Sequence, residues 1–234
     1  MKLARLNSVP EIFYSVQGEG VSQGSPTVFL RLAGCNLACS WCDTAYSWKR
    51  QEAEEMTPHQ VLRAIMDIVE AESPEDSPCR HIVITGGEPL LQQQELGELL
   101  GLLDGWRVEI ETNGTQPPSD TLAARVDQWN VSPKLSHSGN RIGRALVPET
   151  LAAFAATGNA WFKFVIAHES DWEEIRQTAE TAGIPRSRIL LMPMATTRAE
   201  LAAARAHVIG ICLQHNVRYS DRLHIAVWDS RQGV

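Results

Sequence analysis

Short β-rich runs alternate with longer helical patterns along most of this chain, and that alternation restricts it to successive parallel βα units. Six candidate strands fall at Thr27 to Leu32, His81 to Thr85, Arg107 to Thr112, Gln128 to Ser132, Trp161 to Ala167 and Arg188 to Pro193. A helical pattern follows each, delayed after the first by a loop. The Thr57 to Ala71 segment has Thr57 at N-cap, Pro58 at N1 and Gln60 at N3. Val61, Leu62, Ile65, Ile68 and Val69 form its apolar stripe. Ser170 with Glu173, and Thr197 with Glu200, predict capping boxes on the fifth and sixth helices. The expected class is α/β, a partial or modified barrel of six βα units, with functional loops gathered at the carboxyl ends of the strands.

The 234 residues suffice for a single domain spanning 1–234, in which residues 1–26 form an N-terminal extension. Ser73 to Pro78 reads as a surface loop rather than a linker. Polar residues interrupt every apolar run well short of membrane-spanning length, and the N-terminus has no secretory pattern, so the expected location is the cytoplasm, away from any membrane. A formal charge of −7 disfavours a nucleic-acid partner. Arg141 and Arg144, around Gly143, read as a solvated loop.

Five cysteines are an odd count, with Cys35, Cys39 and Cys42 clustered and Cys79 and Cys212 alone. This is no disulfide framework; the cluster reads as a metal or catalytic site. Cys79 and Cys212 read as buried, unligated thiols, Cys212 sharing a helix face with Leu201, Ala204 and Val208. The C-x3-C-x2-C spacing lies directly after the first strand. Three thiolates can hold three irons of a 4Fe–4S cubane and leave the fourth open to an external ligand. The amino acid group of S-adenosylmethionine (SAM) can chelate that open iron, and one electron then splits a carbon–sulfur bond to start radical chemistry. The competing reading is a Cys3His zinc site in a binding module, although the chain has no second C-x2-C knuckle.

With Trp41 as the aromatic of C-x3-C-x-aromatic-C, the segment resembles the defining motif of the radical SAM superfamily. Gly86-Gly87-Glu88 after the second strand is similar to that superfamily's GGE motif, which binds the methionine amino group. Glu109 and Glu111 share a strand face that points either into a polar barrel or to solvent. Ser132-Pro133-Lys134 closes the fourth strand, where a lysine suits a ligand carboxylate and a serine can donate to it. The resemblance assigns Trp41, Asp43, Gly86, Gly87, Glu88, Ser132, Pro133 and Lys134 to cofactor binding.

The N-terminal stretch Glu11-Ile12-Phe13-Tyr14-Ser15-Val16-Gln17-Gly18-Glu19-Gly20 resembles the 7-carboxy-7-deazaguanine synthase family. So do Phe29 to Leu37, Cys42-Asp43-Thr44, Thr85 to Pro89, Glu111 to Gly114 and Ser132 to Lys134. That resemblance implies a radical ring contraction of 6-carboxy-5,6,7,8-tetrahydropterin to 7-carboxy-7-deazaguanine with loss of ammonia and regeneration of SAM. It implies pterin contacts at Val16, Gln17, Gly18, Arg31 and Thr85, with Arg31 pairing the substrate carboxylate, and Mg2+ held at Thr44. An electron donor such as flavodoxin or ferredoxin and a homodimer are expected with it. The alternative within the superfamily is an activase acting on a partner protein. Near the C-terminus Arg222-Leu223-His224-Ile225 lacks the lysine of the longer members' Q-x-H-K-like segment, and His224 reads as structural.

Overall fold

The computed structural model of the chain describes residues 1–234. The extended N-terminal stretch supplies short strands β1 (Lys2–Leu3), β2 (Arg5–Leu6) and β3 (Val9–Pro10), then β4 (Ile12–Val16). The alternating part follows as β5 (Pro26–Leu32), β6 (Glu54–Glu55), α1 (Pro58–Glu72), β7 (His81–Gly86), α2 (Gln93–Leu102), β8 (Arg107–Thr112), α3 (Asp120–Ala123) and β9 (Gln128–Val131). After it come α4 (Ile142–Ala145), α5 (Pro148–Ala156), β10 (Ala160–Ile166), α6 (Asp171–Ala182), β11 (Ile189–Pro193), α7 (Arg198–His215), β12 (Arg218–Tyr219) and α8 (Leu223–Trp228).

One sheet runs β12-β11-β10-β9-β8-β7-β5-β1-β6, with β4 also on β5. From β5 to β12 all pairs are parallel, whereas β1 and β4 pair with β5 antiparallel. The sheet therefore curves without closing, a partial barrel of six long parallel strands plus the short β12. Each predicted strand is present with both ends within one residue of the expected position.

Capping agrees at two helices and differs at a third. Thr57 and Gln60 bond reciprocally, as do Thr197 and Glu200. At α6 the Ser170 hydroxyl makes no cap. The Asp171 carboxylate instead accepts from Ala167 N and His168 N at 2.8 and 2.9 Å. Ser170 has helical backbone (φ −60°, ψ −21°) rather than the extended conformation of an N-cap, so its hydroxyl is not aimed at the Glu173 amide. The unit after β8 shrinks to one helical turn because Pro117 and Pro118 hold the preceding chain extended.

Period-two alternation divides the sheet into two environments. Val28, Leu30 and Leu32 on β5, Ile82 and Ile84 on β7, Val108 and Ile110 on β8, and Phe162 and Phe164 on β10 turn outward. They join Val61, Ile65, Val69, Leu96 and Leu99 of α1 and α2 in one core of 38 buried residues. The intervening positions turn inward and, besides apolar Phe29, Val83 and Val165, are polar: Arg31, Thr85, Glu109, Glu111, Gln128, Asn130 and Lys163. Cys212 packs in the core beside Val208, while Cys79 is only half-buried against it, less enclosed than expected.

The turn after β7 is the tightest backbone approach in the sheet. Gly86 has φ +140°, and a Cβ there would lie 2.1 Å from Leu32 O; one on Gly87 would lie 2.2 Å from Gly34 O. Neither neighbour is a movable side chain. Gly86→Ala is expected to cost about 2–3 kcal/mol, lowering the thermal midpoint of the metal-free protein by roughly 5–10 °C in a calorimetric scan.

Candidate active site

Tight backbone pairing at that turn fixes the cysteine loop. Gly87 N donates to Leu32 O at 3.0 Å and Glu88 N to Gly34 O at 2.8 Å, while Gly34 N donates to Ser47 O at 2.7 Å. Cys35, Cys39 and Cys42 all line one cavity of about 430 Å³ at the carboxyl ends of the strands, and all are free thiols. Donors already point at two of the sulfurs. Asn140 Nδ2 lies 3.2 Å from Cys39 Sγ, and Leu37 N 3.4 Å from Cys35 Sγ. Burial pushes the Cys35 thiol up to about 11 and raises Cys39 as well, so metal binding must release their protons.

This donor set fits a cubane better than a single ion. A mononuclear site completed by histidine needs a fourth donor free to join the three cysteines. The histidine packed on Trp41 is engaged at both nitrogens. His137 Nδ1 accepts from Trp41 Nε1 at 3.1 Å, and Nε2 donates to Val165 O at 3.2 Å. Three sulfurs with no fourth protein ligand are what a 4Fe–4S cluster with one open iron needs.

Around the cysteines the remaining residues divide by role. Trp41, Asp43, Gly86, Gly87, Ser132 and Lys134 line the cavity. Lys134 Nζ donates to Ser132 Oγ at 2.8 Å and sits 5.3 Å from the centre of the Trp41 ring. Glu88 and Pro133 do not line it. The fully buried Glu88 carboxylate accepts from Thr112 Oγ1 at 2.8 Å, Asn113 N at 2.7 Å and Leu90 N at 3.0 Å. Burial raises its pKa against those bonds. Its side chain is thus a brace between the β7 turn and the end of β8, which leaves only its backbone near the ligand space.

Val16, Gln17, Gly18, Arg31, Thr85 and Thr44 also face the cavity. Arg31 Nε donates to Glu11 Oε1 at 2.8 Å, and Tyr46 Oη donates to both Glu11 oxygens at 3.0 and 2.9 Å. That clamp leaves both terminal nitrogens of the guanidinium unpaired. Register pairs Arg31 with Thr85 and Glu111 with Asn130. Thr85 Oγ1 donates to Glu111 Oε2 at 2.8 Å, which completes a polar row across four strands. Thr44 precedes a 3-10 turn without capping it; its hydroxyl lies 3.7 Å from Cys42 Sγ.

Residues beyond those assigned from the sequence also shape the site. Glu109 and Glu111 both turn inward, the choice that alternation alone leaves open. Glu19 bonds Lys163 through one oxygen and Arg222 Nε at 3.0 Å through the other, with Arg222 also bonding Asp43 and Ala195 O. His224, expected to be structural, lines the cavity and packs so closely on Gly18 that a Cβ there would lie 2.2 Å from its Nδ1. A lysine inside the apolar run Ala160-Trp161-Phe162-Lys163-Phe164 was the one signal in the sequence for this network. Burial pushes Glu19 upward, but Lys163 and Arg222 overcome it and hold the carboxyl well below its ordinary 4.5. Burial likewise opposes ionisation of Asp43, which Arg222 keeps low.

Comparison with known proteins now decides the family. The Radical SAM superfamily model matches residues 30–194. A 7-carboxy-7-deazaguanine synthase of Pyrobaculum aerophilum is 39% identical over 96% of this chain and 96% of its own. The chain belongs to the 7-carboxy-7-deazaguanine synthase family. A second member, from Hyperthermus butylicus, is 37% identical over 97% of this chain and 96% of its own. The crystal structure of QueE from Escherichia coli superposes with a TM-score of 0.72 at 26% identity, covering 95% of this chain and 94% of that one. As a member of this radical SAM family the chain is an enzyme of 7-deazapurine biosynthesis that uses a 4Fe–4S cluster and SAM.

The Glu19 network makes a prediction about acid stability. A carboxyl held below its ordinary value contributes stability that is complete above pH 4.5 and drains away as the pH falls below it. Glu19→Gln leaves Lys163 and Arg222 without their shared counter-ion and is expected to cost about 3 kcal/mol at pH 7. The variant should also lose less stability than the wild-type chain on acidification from pH 5 to about 3.5, measured by urea unfolding of the metal-free protein.

Proposed function

We propose that this enzyme converts 6-carboxy-5,6,7,8-tetrahydropterin to 7-carboxy-7-deazaguanine with release of ammonia, regenerating SAM. The observation that carries the reading is the Arg31 guanidinium. Glu11 and Tyr46 hold it in orientation, and its free nitrogens are turned into the cavity that the three cysteines line. Bound cluster and cofactor together supply a one-electron cleavage that yields a hydrogen-abstracting carbon radical.

The chain's own part is binding, orientation and exclusion of water. Arg31 takes the pterin carboxylate in a two-bond fork, a geometry that lysine cannot reproduce. Val16, Gln17 and Gly18 contact the ring system, and Thr85 meets the substrate at the end of β7. Gln17 is already held by Glu111, whose Oε1 accepts from Nε2 at 3.3 Å. On the cofactor side Gly86 and Gly87 offer backbone groups to the methionine end, Lys134 and Ser132 take its carboxylate, and Trp41 and Asp43 flank it. Thr44, its hydroxyl uncommitted to a cap, supplies one oxygen to Mg2+, a cation that keeps most of its waters. The whole chain, 1–234, acts as one domain, in keeping with its single large core. No helix is long and apolar enough to cross a membrane. We place the enzyme in the cytoplasm as a homodimer, reduced by a flavodoxin or ferredoxin.

Anaerobic incubation of the reconstituted protein with the pterin, SAM, Mg2+ and dithionite should yield 7-carboxy-7-deazaguanine and leave SAM intact by mass spectrometry; no deazapurine product would overturn the assignment. Arg31→Lys should raise KM for the pterin acid by roughly 10–100-fold with a smaller change in kcat. Thr44→Val should raise the Mg2+ concentration needed for half-maximal rate by about tenfold while cluster content, read from iron analysis, stays at the wild-type level.

A further inference from the structure

The cysteine loop has a second face, turned away from the cavity. Cys39 lines the cavity, while the preceding Ala38 lines a separate shallow concavity with Gly139, Asn140, Arg141, Gly143 and Arg144. Adjacent residues of the loop thus line the two sides. Asn140 joins the two sides. Its Oδ1 accepts from Ala38 N at 2.9 Å and its Nδ2 donates to Cys39 Sγ at 3.2 Å. Ala145, on the short helix that follows, packs against Leu37 and Cys39. Arg141 adjoins Asn140, with Cα atoms about 3.8 Å apart across the peptide.

What this outer face displays is uncommon for the chain. Arg141 and Arg144 are exposed and take part in no ion pair or side-chain hydrogen bond, and between them Ile142 is 55% exposed. The loop's carboxylate contact, Glu174 on Ser136, lies at its far end. An exposed aliphatic side chain flanked by two unpaired guanidiniums, on a molecule of net charge −7, is a local reversal of sign around an apolar centre. Surfaces of that kind accept small acidic partners, charge steering the approach and a little apolar area seating it.

We propose that Ala38, Arg141, Ile142 and Arg144 form the docking face for a small acidic electron-carrier protein. The proposal rests on the radical SAM reading above and adds where the electron enters. Substrate and SAM fill the cavity side of the cysteines, so the outer side is the approach left to a protein. The docked carrier loses one electron and is oxidised by one. The enzyme gains it at the group that Cys35, Cys39 and Cys42 hold, and no bond is made or broken in that transfer. Brief electron-transfer encounters need only a small interface, which matches the few residues available.

Two measurements on reconstituted enzyme separate this proposal from the functional reading. In fluorescence titration with FMN-loaded flavodoxin, and in parallel with a plant-type 2Fe–2S ferredoxin, wild-type binding should weaken about tenfold or more between 25 and 200 mM salt. Arg141→Glu/Arg144→Glu should bind roughly tenfold more weakly at low salt and lose that salt dependence, and Ile142→Ser should weaken binding about threefold. Turnover driven by the reduced carrier should fall at least fivefold in the double variant, while turnover driven by dithionite stays within about twofold of wild type. Failure of wild-type turnover with dithionite would sink the functional reading. Dithionite turnover intact, with neither carrier binding the wild-type enzyme or with the double variant binding and reacting as wild type, would overturn the docking face. So would an altered oligomeric state of the double variant at unchanged carrier affinity, which would assign the patch to a second copy of the chain.

Discussion

Two backbone hydrogen bonds, from Gly87 N to Leu32 O and from Glu88 N to Gly34 O, join the end of β7 to the start of the cysteine loop. They form only because neither Gly86 nor Gly87 carries a Cβ, since either one would collide with a carbonyl oxygen at close to 2 Å. Glu88 then locks the same turn to β8 through Thr112 and Asn113. The cysteine loop therefore inherits its position from three adjacent parallel strands rather than from its own flexible backbone. A ligand loop that must present three sulfurs to one cluster gains most from such external support.

The sheet can support a polar site because its two faces are chemically separate. Outward residues bury against the helices in one core, and that burial supplies the driving force for folding. Inward residues are then free to be Arg31, Glu111, Asn130 and Lys163, each of which would be costly in a core without a partner. Partners are provided within the face. Glu109, fully buried, accepts from Ser22, Gln128 and Asn130 at 2.7 to 3.1 Å, with His81 Nε2 at 3.0 Å. Ser22 lies just past the Gln17–Gly20 stretch, so the same buried carboxylate also anchors the loop that follows β4.

Signals with short range were legible in the sequence. Strand ends, the Thr57 and Thr197 caps and the cysteine spacing each depend on residues a few positions apart, and all are seen in the structure. The Ser170 cap failed because the preceding chain, tied to Asp171 through Ala167 N and His168 N, leaves Ser170 with helical rather than extended backbone. Period two placed Glu109 and Glu111 on one face but could not say which; only the register with β9 and the helices on the other side decide it. Glu19 and Arg222 meet across 203 positions of sequence, and no local pattern encodes that pairing. His224 reads as an isolated residue until the same long-range packing sets it on Gly18.

That long-range pairing also explains how the two ends of the chain come to share one site. Glu19 belongs to the loop after β4, Lys163 to β10, Arg222 to the approach to α8 and Asp43 to the cysteine loop, so one chain of ion pairs ties four separate segments. The charges alternate in sign, and each carboxylate has a cation on it, which offsets the desolvation that all of them suffer. Weakening one member leaves the next uncompensated, so the loop after β4, the approach to α8 and the cysteine loop are held to one another. Leu223 N, which donates to Gly18 O at 2.8 Å, adds a backbone bond to the same junction. The C-terminal residues that line the cavity are in this way tied through Arg222 to Glu19, a residue that lies next to the proposed pterin contacts rather than among them.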